Sequence, residues 1–448
     1  MTNSDPTVTL AQFVTNLEYE AIPAQVRDRS GLVVADTISA IIGGNTLPNV
    51  ARLADLESNS NPGDATILGT CQSAASSHAA MVNATGGTAL ELDEGHKFAA
   101  GHPAIHVLPA VLAEAEITGG ANEAFVTAFI AGYEVATRIA RACVPLDKSY
   151  HMHGLWGTVG TAASLASYRG LDIQTTADAI RMAANHALHT RFETALEGAT
   201  VRNTYAGASN LAGLLVLNQA EAGFTGLENG IQRHLSRVSQ DFDAAPITDR
   251  LGDHWEIERG YFKRHAACRY THAPIDAMIT LDERHDFDLT DVDSIRVETY
   301  ETAAQLTSSR PRNPLQAKFS IPFAVATVLV HGHSGKQAFT AGALNEETFD
   351  LADRVSVVAT DELTARVPQQ RGAKVTVISE DGDELTEYVQ QAAGGMDNPF
   401  DETDIRAKYN WLVEPTLGSD GAAALWQAAR NPANTSPKTI CQLAIPES

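Results

Sequence analysis

Four short stretches of this chain concentrate the residues able to move protons or hold anions. The densest is Lys263-Arg-His-Ala-Ala-Cys268-Arg269-Tyr-Thr-His272, a cationic island. No Asp or Glu occurs between Arg259 and Ile275, although the net charge of the chain is −23. Positive potential kept locally against such a field suits the binding of a small carboxylate or phosphate. Thr271, His272 and Pro274 also predict a helix start here, whose first amides would add to the anion field.

The second stretch is Glu91-Leu-Asp93-Glu-Gly-His96-Lys, followed by Gly101-His102-Pro103. Its three carboxylates and two imidazoles, set among glycines that let the chain turn, can accept and donate protons near neutral pH. The same composition also fits a solvated loop between helices. A third stretch, His151-Met-His153-Gly-Leu-Trp-Gly157-Thr-Val-Gly160, is a His-rich turn opening a helix. Two His ligands do not make a metal site. The glycines read as packing residues, since they lack the Gly-x-x-x-x-Gly-Lys pattern and follow no strand. His151 is open to a structural or a catalytic role. In the fourth stretch, Thr200-Val-Arg202-Asn-Thr-Tyr205, the planar fork of Arg202 suits a carboxylate, or else a surface ion pair.

Composition bounds the frame that must position these groups. With 448 residues and 44% apolar content, the chain can form two domains, each with its own core. No run of eighteen apolar residues occurs and the start is polar, so a soluble cytoplasmic protein is expected. The acidic balance speaks against nucleic-acid and membrane partners, which need broad basic faces. Cys71, Cys143, Cys268 and Cys441 lie far apart without a Cys-x-x-Cys pair, which predicts neither a metal centre nor a disulfide framework. Eight Lys against twenty-four Arg, with acids spread throughout, fits either a surface adapted to high salt or an ordinary acidic enzyme.

Periodicity of three and four predicts helices over Val26–Ile42, the region of Ala110–Ala115, Glu123–Ala142, Thr158–Tyr168, Thr176–His189 and Tyr205–Gly223. In the last, Ala208, Ala212, Val216 and Ala220 form a row for close packing. From about Asp286, β-branched runs predict strands at Ser294–Tyr300, Val355–Ala359, Ala373–Ser379 and Glu384–Val389, with a helix near Ile321–Val330. The fold class is therefore mainly α with a smaller α+β domain. The helical domain is expected to comprise residues 1–268 and 395–448, and the α+β lid residues 269–394.

Taken together, these residues resemble the MmgE/PrpD family, which includes 2-methylcitrate dehydratases, cis-aconitate decarboxylases and an iminodisuccinate epimerase. The resemblance runs along the whole chain. It rests on Ala35-Asp-Thr37, Gly43-Gly44, Leu90–His96, His102-Pro103, Gly132-Tyr-Glu-Val135 and His151 with Gly157–Gly160. Beyond these lie Gly223-Phe-Thr-Gly226, Lys263 with Cys268–His272, Phe319-Ser-Ile-Pro-Phe323 and Asn398-Pro399. It implies a large helical domain built from both chain ends, an inserted lid, a cleft between them and a homodimer; no cofactor or metal is expected. Asp93, His102, His151, Lys263 and Cys268 are the catalytic candidates that follow. Glu91, His96, Arg202, Tyr205, Arg269 and His272 are the substrate-binding candidates. His102 or Asp93 would handle the proton and His151 would protonate a leaving hydroxyl or a developing carbanion, while His272 also suits a helix-shaping role.

Four positions depart from what is common in the family: Arg202 for Lys, Gly95 for Thr, Phe323 for Tyr, and Cys268 for the His of mammalian-type decarboxylases. An Arg, whose pKa stays above about 12, is a clamp and not a proton shuttle. These departures weigh against cis-aconitate decarboxylation. The expected activity is dehydration of a citrate-like hydroxypolycarboxylate. The alternatives are epimerisation of a dicarboxylate by the same proton abstraction, and a silent polycarboxylate binder.

Overall fold

The computed structural model describes residues 5–147 and 149–447. Its larger layer is helical, and seven helices matter for the site or its support: α1 (Ala24–Asn45), α2 (Ser76–Ala89), α3 (Pro103–Thr118), α4 (Asn122–Cys143), α5 (Gly157–Arg169), α6 (Tyr205–Glu221) and, after the strands begin, α7 (Arg269–His285). α1 is buried along most of its length: Val33, Val34, Ile38, Ile41 and Ile42 make one side apolar, and Asp36 on the other side is buried with Lys408 as its partner at 2.6 Å. It crosses α2 at Gly44 and Gly86, where a Cβ on Gly44 would stand 1.9 Å from the Gly86 carbonyl oxygen. Small residues likewise set the α4–α5 contact, since a Cβ on Gly160 would lie 2.6 Å from that of Ala136. The glycines of the His-rich turn thus serve packing.

Two helix readings are corrected. The helix expected over Thr176–His189 spans Ile173–Asn185. Beyond it Leu188 donates its amide to the Gly154 carbonyl, so tertiary pairing with the His-rich turn overrides apolar periodicity. In α6, Ala208 and Ala212 are only half-buried. The deeper row is Ala206, Asn210, Gly213 and Leu217, placed inward because a Cβ on Gly213 would stand 2.5 Å from that of Thr161.

The smaller layer holds a mixed sheet. Besides a two-residue pair at Ala65–Thr66 and Ser73–Ala74, the strands in chain order are β1 (Gly95–His96), β2 (Gly260–Tyr261), β3 (Val292–Thr299), β4 (Val355–Ala359), β5 (Ala373–Ser379) and β6 (Glu384–Val389). β1 and β2 pair with each other, and the remaining four form a sheet in the order β4-β3-β5-β6. Only β3 and β4 run parallel. Ile295 and Val297 of β3 stand opposite Val377 and Val375 of β5, all four buried. α7 lies over β5 and β6 and packs on α8 (Ile321–His331). The β5–β6 hairpin turns through Gly382, at φ +85°. α9 (Glu402–Arg430) then returns to pack along α1, where a Cβ on Gly31 would come within 2.2 Å of the Arg430 carbonyl oxygen. No single helix among the described residues is long and apolar enough to cross a membrane.

Candidate active site

The site is built on the C-terminal end of α2. Helix ends leave carbonyls unpaired and carry negative partial charge. Here two buried cations cap them: Arg202 donates to the Thr88 carbonyl at 3.3 Å and Lys318 to that of Ala89 at 2.7 Å. Glu91 follows in the left-handed region, at φ +57°, uncommon for a residue with a side chain. Its carboxylate pairs with Arg202, and with Lys263 at 3.3 Å, while Lys263 also lies 3.5 Å from Asp93.

The β1–β2 pair brings the acidic stretch and the cationic island together, with Gly95 opposite Tyr261 and His96 opposite Gly260. It also explains one departure from the family. A Cβ on residue 95 would stand 2.4 Å from the Tyr261 hydroxyl oxygen, so Gly suits this position where Thr would clash. Glu91, Asp93, Glu94, His96 and His102 are all buried, which overturns the solvated-loop alternative.

Burial raises the cost of ionising Glu91 and Asp93. The cations beside Glu91, and His102 with Lys263 beside Asp93, outweigh it and hold both carboxyls below their usual range. Lys318 is pushed down to about 8 by burial. Three buried cations therefore face two buried carboxylates, a balance that favours an added anion.

Hydrogen bonds assign the imidazoles opposite faces. The Nδ1 of His102 is 2.8 Å from the Glu94 carbonyl oxygen and 3.2 Å from Asp93 Oδ2. It must carry the proton, which leaves a lone pair on Nε2. His151 is the reverse. Its Nδ1 accepts the His153 amide at 2.9 Å, so the neutral ring carries its proton on Nε2. Burial pushes His102 down to about 4 and His151 well below the usual histidine range, so both rings are neutral near pH 7.

The remaining candidates lie elsewhere or act indirectly. His96 faces Glu256 at 3.3 Å, not the cluster. Arg269 spends its donors on the Ala392 and Ala393 carbonyls at 2.8 Å and lies over the Tyr261 ring. His272 is 3.2 Å from the Ala267 carbonyl and shapes the start of α7, which begins at Arg269, ahead of the predicted point. Tyr205 bonds Thr194 and sets its ring 6.2 Å from that of His151. Cys268 caps α7, donating its amide to the Lys318 carbonyl. Burial pushes its thiol up to about 11, so it holds its proton. Phe323 sits among Phe339 and Phe349 in the lid core.

Three contributors escaped the sequence reading of the site. His153 places its Nε2 3.5 Å from Arg202, and His106 bonds Ser209 at 2.7 Å beneath it. The His-x-His spacing flagged the first, though only for metal binding. Lys318 stands one residue before the Phe319 motif, whose ring lies 5.2 Å from the Arg202 guanidinium. Asp93, His102 and His153 do present ligand atoms within 4.8 Å of one another. Arg202 and Lys263, each 3.5 Å from a member of that set, oppose a dication there.

Beside the cluster, a cleft of about 510 Å³ lies between the helical layer and the smaller layer. His151 and Phe192 line one side, and Tyr270, Tyr300 and Arg371 the other.

Comparison with known proteins adds an independent line. The MmgE/PrpD N-terminal domain matches residues 8–235 and the MmgE/PrpD C-terminal domain residues 265–432. Cis-aconitate decarboxylase-like protein oryM of Aspergillus oryzae is 24% identical over 458 residues, covering 94% of both chains. Cis-aconitate decarboxylase of Aspergillus terreus is 24% identical over 442 residues, 92% of this chain and 89% of its own.

Proposed function

The chain belongs to the MmgE/PrpD family, and from that premise we propose that it is a lyase that removes water from a citrate-like hydroxypolycarboxylate, as a 2-methylcitrate dehydratase does. The decarboxylases among its relatives support an enzyme of citrate-like acids. The observation that carries dehydration is the pairing of an acceptor ring, His102, with a donor ring, His151, beside three buried cations.

His102 Nε2 takes a proton from the carbon next to a carboxylate, and Asp93 stabilises the imidazolium that results. The electrons of that C–H bond form the new double bond as the adjacent C–O bond breaks. The Nε2 proton of His151 converts the departing hydroxide to water, and the imidazolate left behind regains a proton from the His102 imidazolium by way of His153, whose ring lies 4.8 Å from that of His102 and 4.7 Å from that of His151, so both rings end neutral. Charge that builds on the substrate carboxylate is met by Arg202, Lys263 and Lys318, fixed before the reaction starts. Asp93 and Glu91 already raise the proton affinity of His102 against burial, and a bound polyanion acts in the same direction.

Decarboxylation is the second reading, favoured by the names of the relatives. It would use the same cations to stabilise the carbanion left by carbon dioxide, with His151 returning a proton. Proton NMR of the enzyme with tri- and dicarboxylates in deuterated water, at low and high salt, tests both. Loss of the methylene or methine signals beside the carbinol carbon, replaced by a vinylic signal from citrate or an allylic methyl singlet from 2-methylcitrate, is the expected result. Carbon dioxide release would move the assignment to decarboxylation, deuterium exchange without a new product to epimerisation, and calorimetric binding without turnover to a silent binder.

A further inference from the structure

We propose that Arg371 is the lid's carboxylate-binding residue, holding a substrate carboxylate other than the one beside the reacting carbon. The inference rests on the polycarboxylate reading above and names a contact which that reading lacks. Arg371 lies two residues before β5 and lines the same cleft as His151. Among the described residues lining that cleft it is the single fixed cation.

Its neighbours show why it is available. Arg371 also borders a small pocket with Lys97, Arg259 and Arg269. Lys97 pairs with Asp397, Arg259 pairs with Glu256, and Arg269 is spent on two carbonyls. Arg371 pairs with no carboxylate among the described residues. One of its terminal nitrogens donates to the Lys97 carbonyl, while its Nε is buried without a hydrogen-bond partner there. A buried N–H left unpaired is costly, and a guanidinium with donors to spare is suited to a carboxylate. The Tyr270 ring, 5.7 Å from the guanidinium, supports the planar group from the side. Asp147 lines the cleft too, and its charge disfavours an anion on its own side.

Citrate and citramalate differ by one terminal carboxylate and form the diagnostic pair. Calorimetry on the full chain should show Arg371→Gln weakening citrate binding about 10- to 100-fold while changing citramalate less than about threefold. Arg371→Lys, which keeps the charge and loses the fork, should fall between. With a turned-over tricarboxylate, KM should rise by the same factor at nearly constant kcat. Equal losses for both acids, or no loss for either, would overturn the assignment. Equal losses with a fall in melting temperature would identify a purely structural tie to Lys97. If the wild-type chain binds neither acid, the polycarboxylate reading itself fails; if it binds both and Arg371→Gln is unchanged, only the Arg371 assignment fails.

Discussion

The His102 ring points one N–H at two acceptors, the Glu94 carbonyl at 2.8 Å and the Asp93 carboxylate at 3.2 Å, and so presents a bare nitrogen on its other edge. The carbonyl fixes the tautomer and the carboxylate supports the protonated ring. His102→Gln and Asp93→Asn should each slow turnover by about 10²- to 10⁴-fold, with the fold retained by circular dichroism. The acid limb of kcat/KM for the wild type should fall toward pH 4, where His102 becomes protonated, and Asp93→Asn should move it lower still. Full activity in Asp93→Asn would remove the carboxylate from the mechanism.

Burial lowers the proton affinity of His102, His106, His151, His153 and His272, with His106 pushed down to about 3. Below the unfolded-state pKa of about 6.5, the unfolded chain takes up protons that the native chain does not, so stability falls with pH. The loss should begin below about pH 6.5 and continue toward pH 4. Urea midpoints between pH 7.5 and 5 would measure it against the opposite contribution of Glu94 and Glu134, whose carboxyls burial raises to about 8 and about 7, and a midpoint that rises throughout as the pH falls would contradict the neutral assignments.

Glu91 and Lys318 should reveal a shared charge balance. Glu91→Gln breaks two buried pairs and should cost about 3–5 kcal/mol. Lys318→Met strands the Ala89 carbonyl and should cost about 1–3 kcal/mol. The double variant removes one charge of each sign and should lose less than the two combined, by about 1 kcal/mol or more. Strict additivity in urea unfolding would show that the two groups do not sense each other.

A net charge of −23 produces self-repulsion that salt screens. The melting temperature should rise between 0.1 and 2 M potassium chloride, with most of the gain at the low end if screening alone operates. A melting temperature that falls over this range would argue against a surface adapted to high salt.

Much of this architecture was legible in the sequence because it rests on local pattern. The helices of the larger layer and the β5–β6 hairpin follow from apolar spacing and turn chemistry, which act over a few residues. The site was legible where residue types cluster, as in the Glu91–His102 stretch and the cationic island. Lys318 was hidden, since a lone Lys beside an apolar run carries no local mark. Its role arises from the packing that brings it to the end of α2. Arg269 misled for the opposite reason: it belongs to the cationic island, but its donors are taken by carbonyls at Ala392 and Ala393, which no local pattern announces. The stop at Asn185 likewise answers to a distant partner, Gly154, and not to the periodicity around it.

The pairing of Gly95–His96 with Gly260–Tyr261 also fixes an order of events during synthesis. A ribosome delivers Glu91 and Asp93 long before Arg202, Lys263 and Lys318, at about 5–20 residues per second. For that interval the acidic stretch has no counter-ions to be buried with, so it must wait in water. A chain interrupted before Lys318 carries most of the helical layer and an unfinished site. Completion of the charge cluster therefore falls late, when the first residues of the lid have already been made.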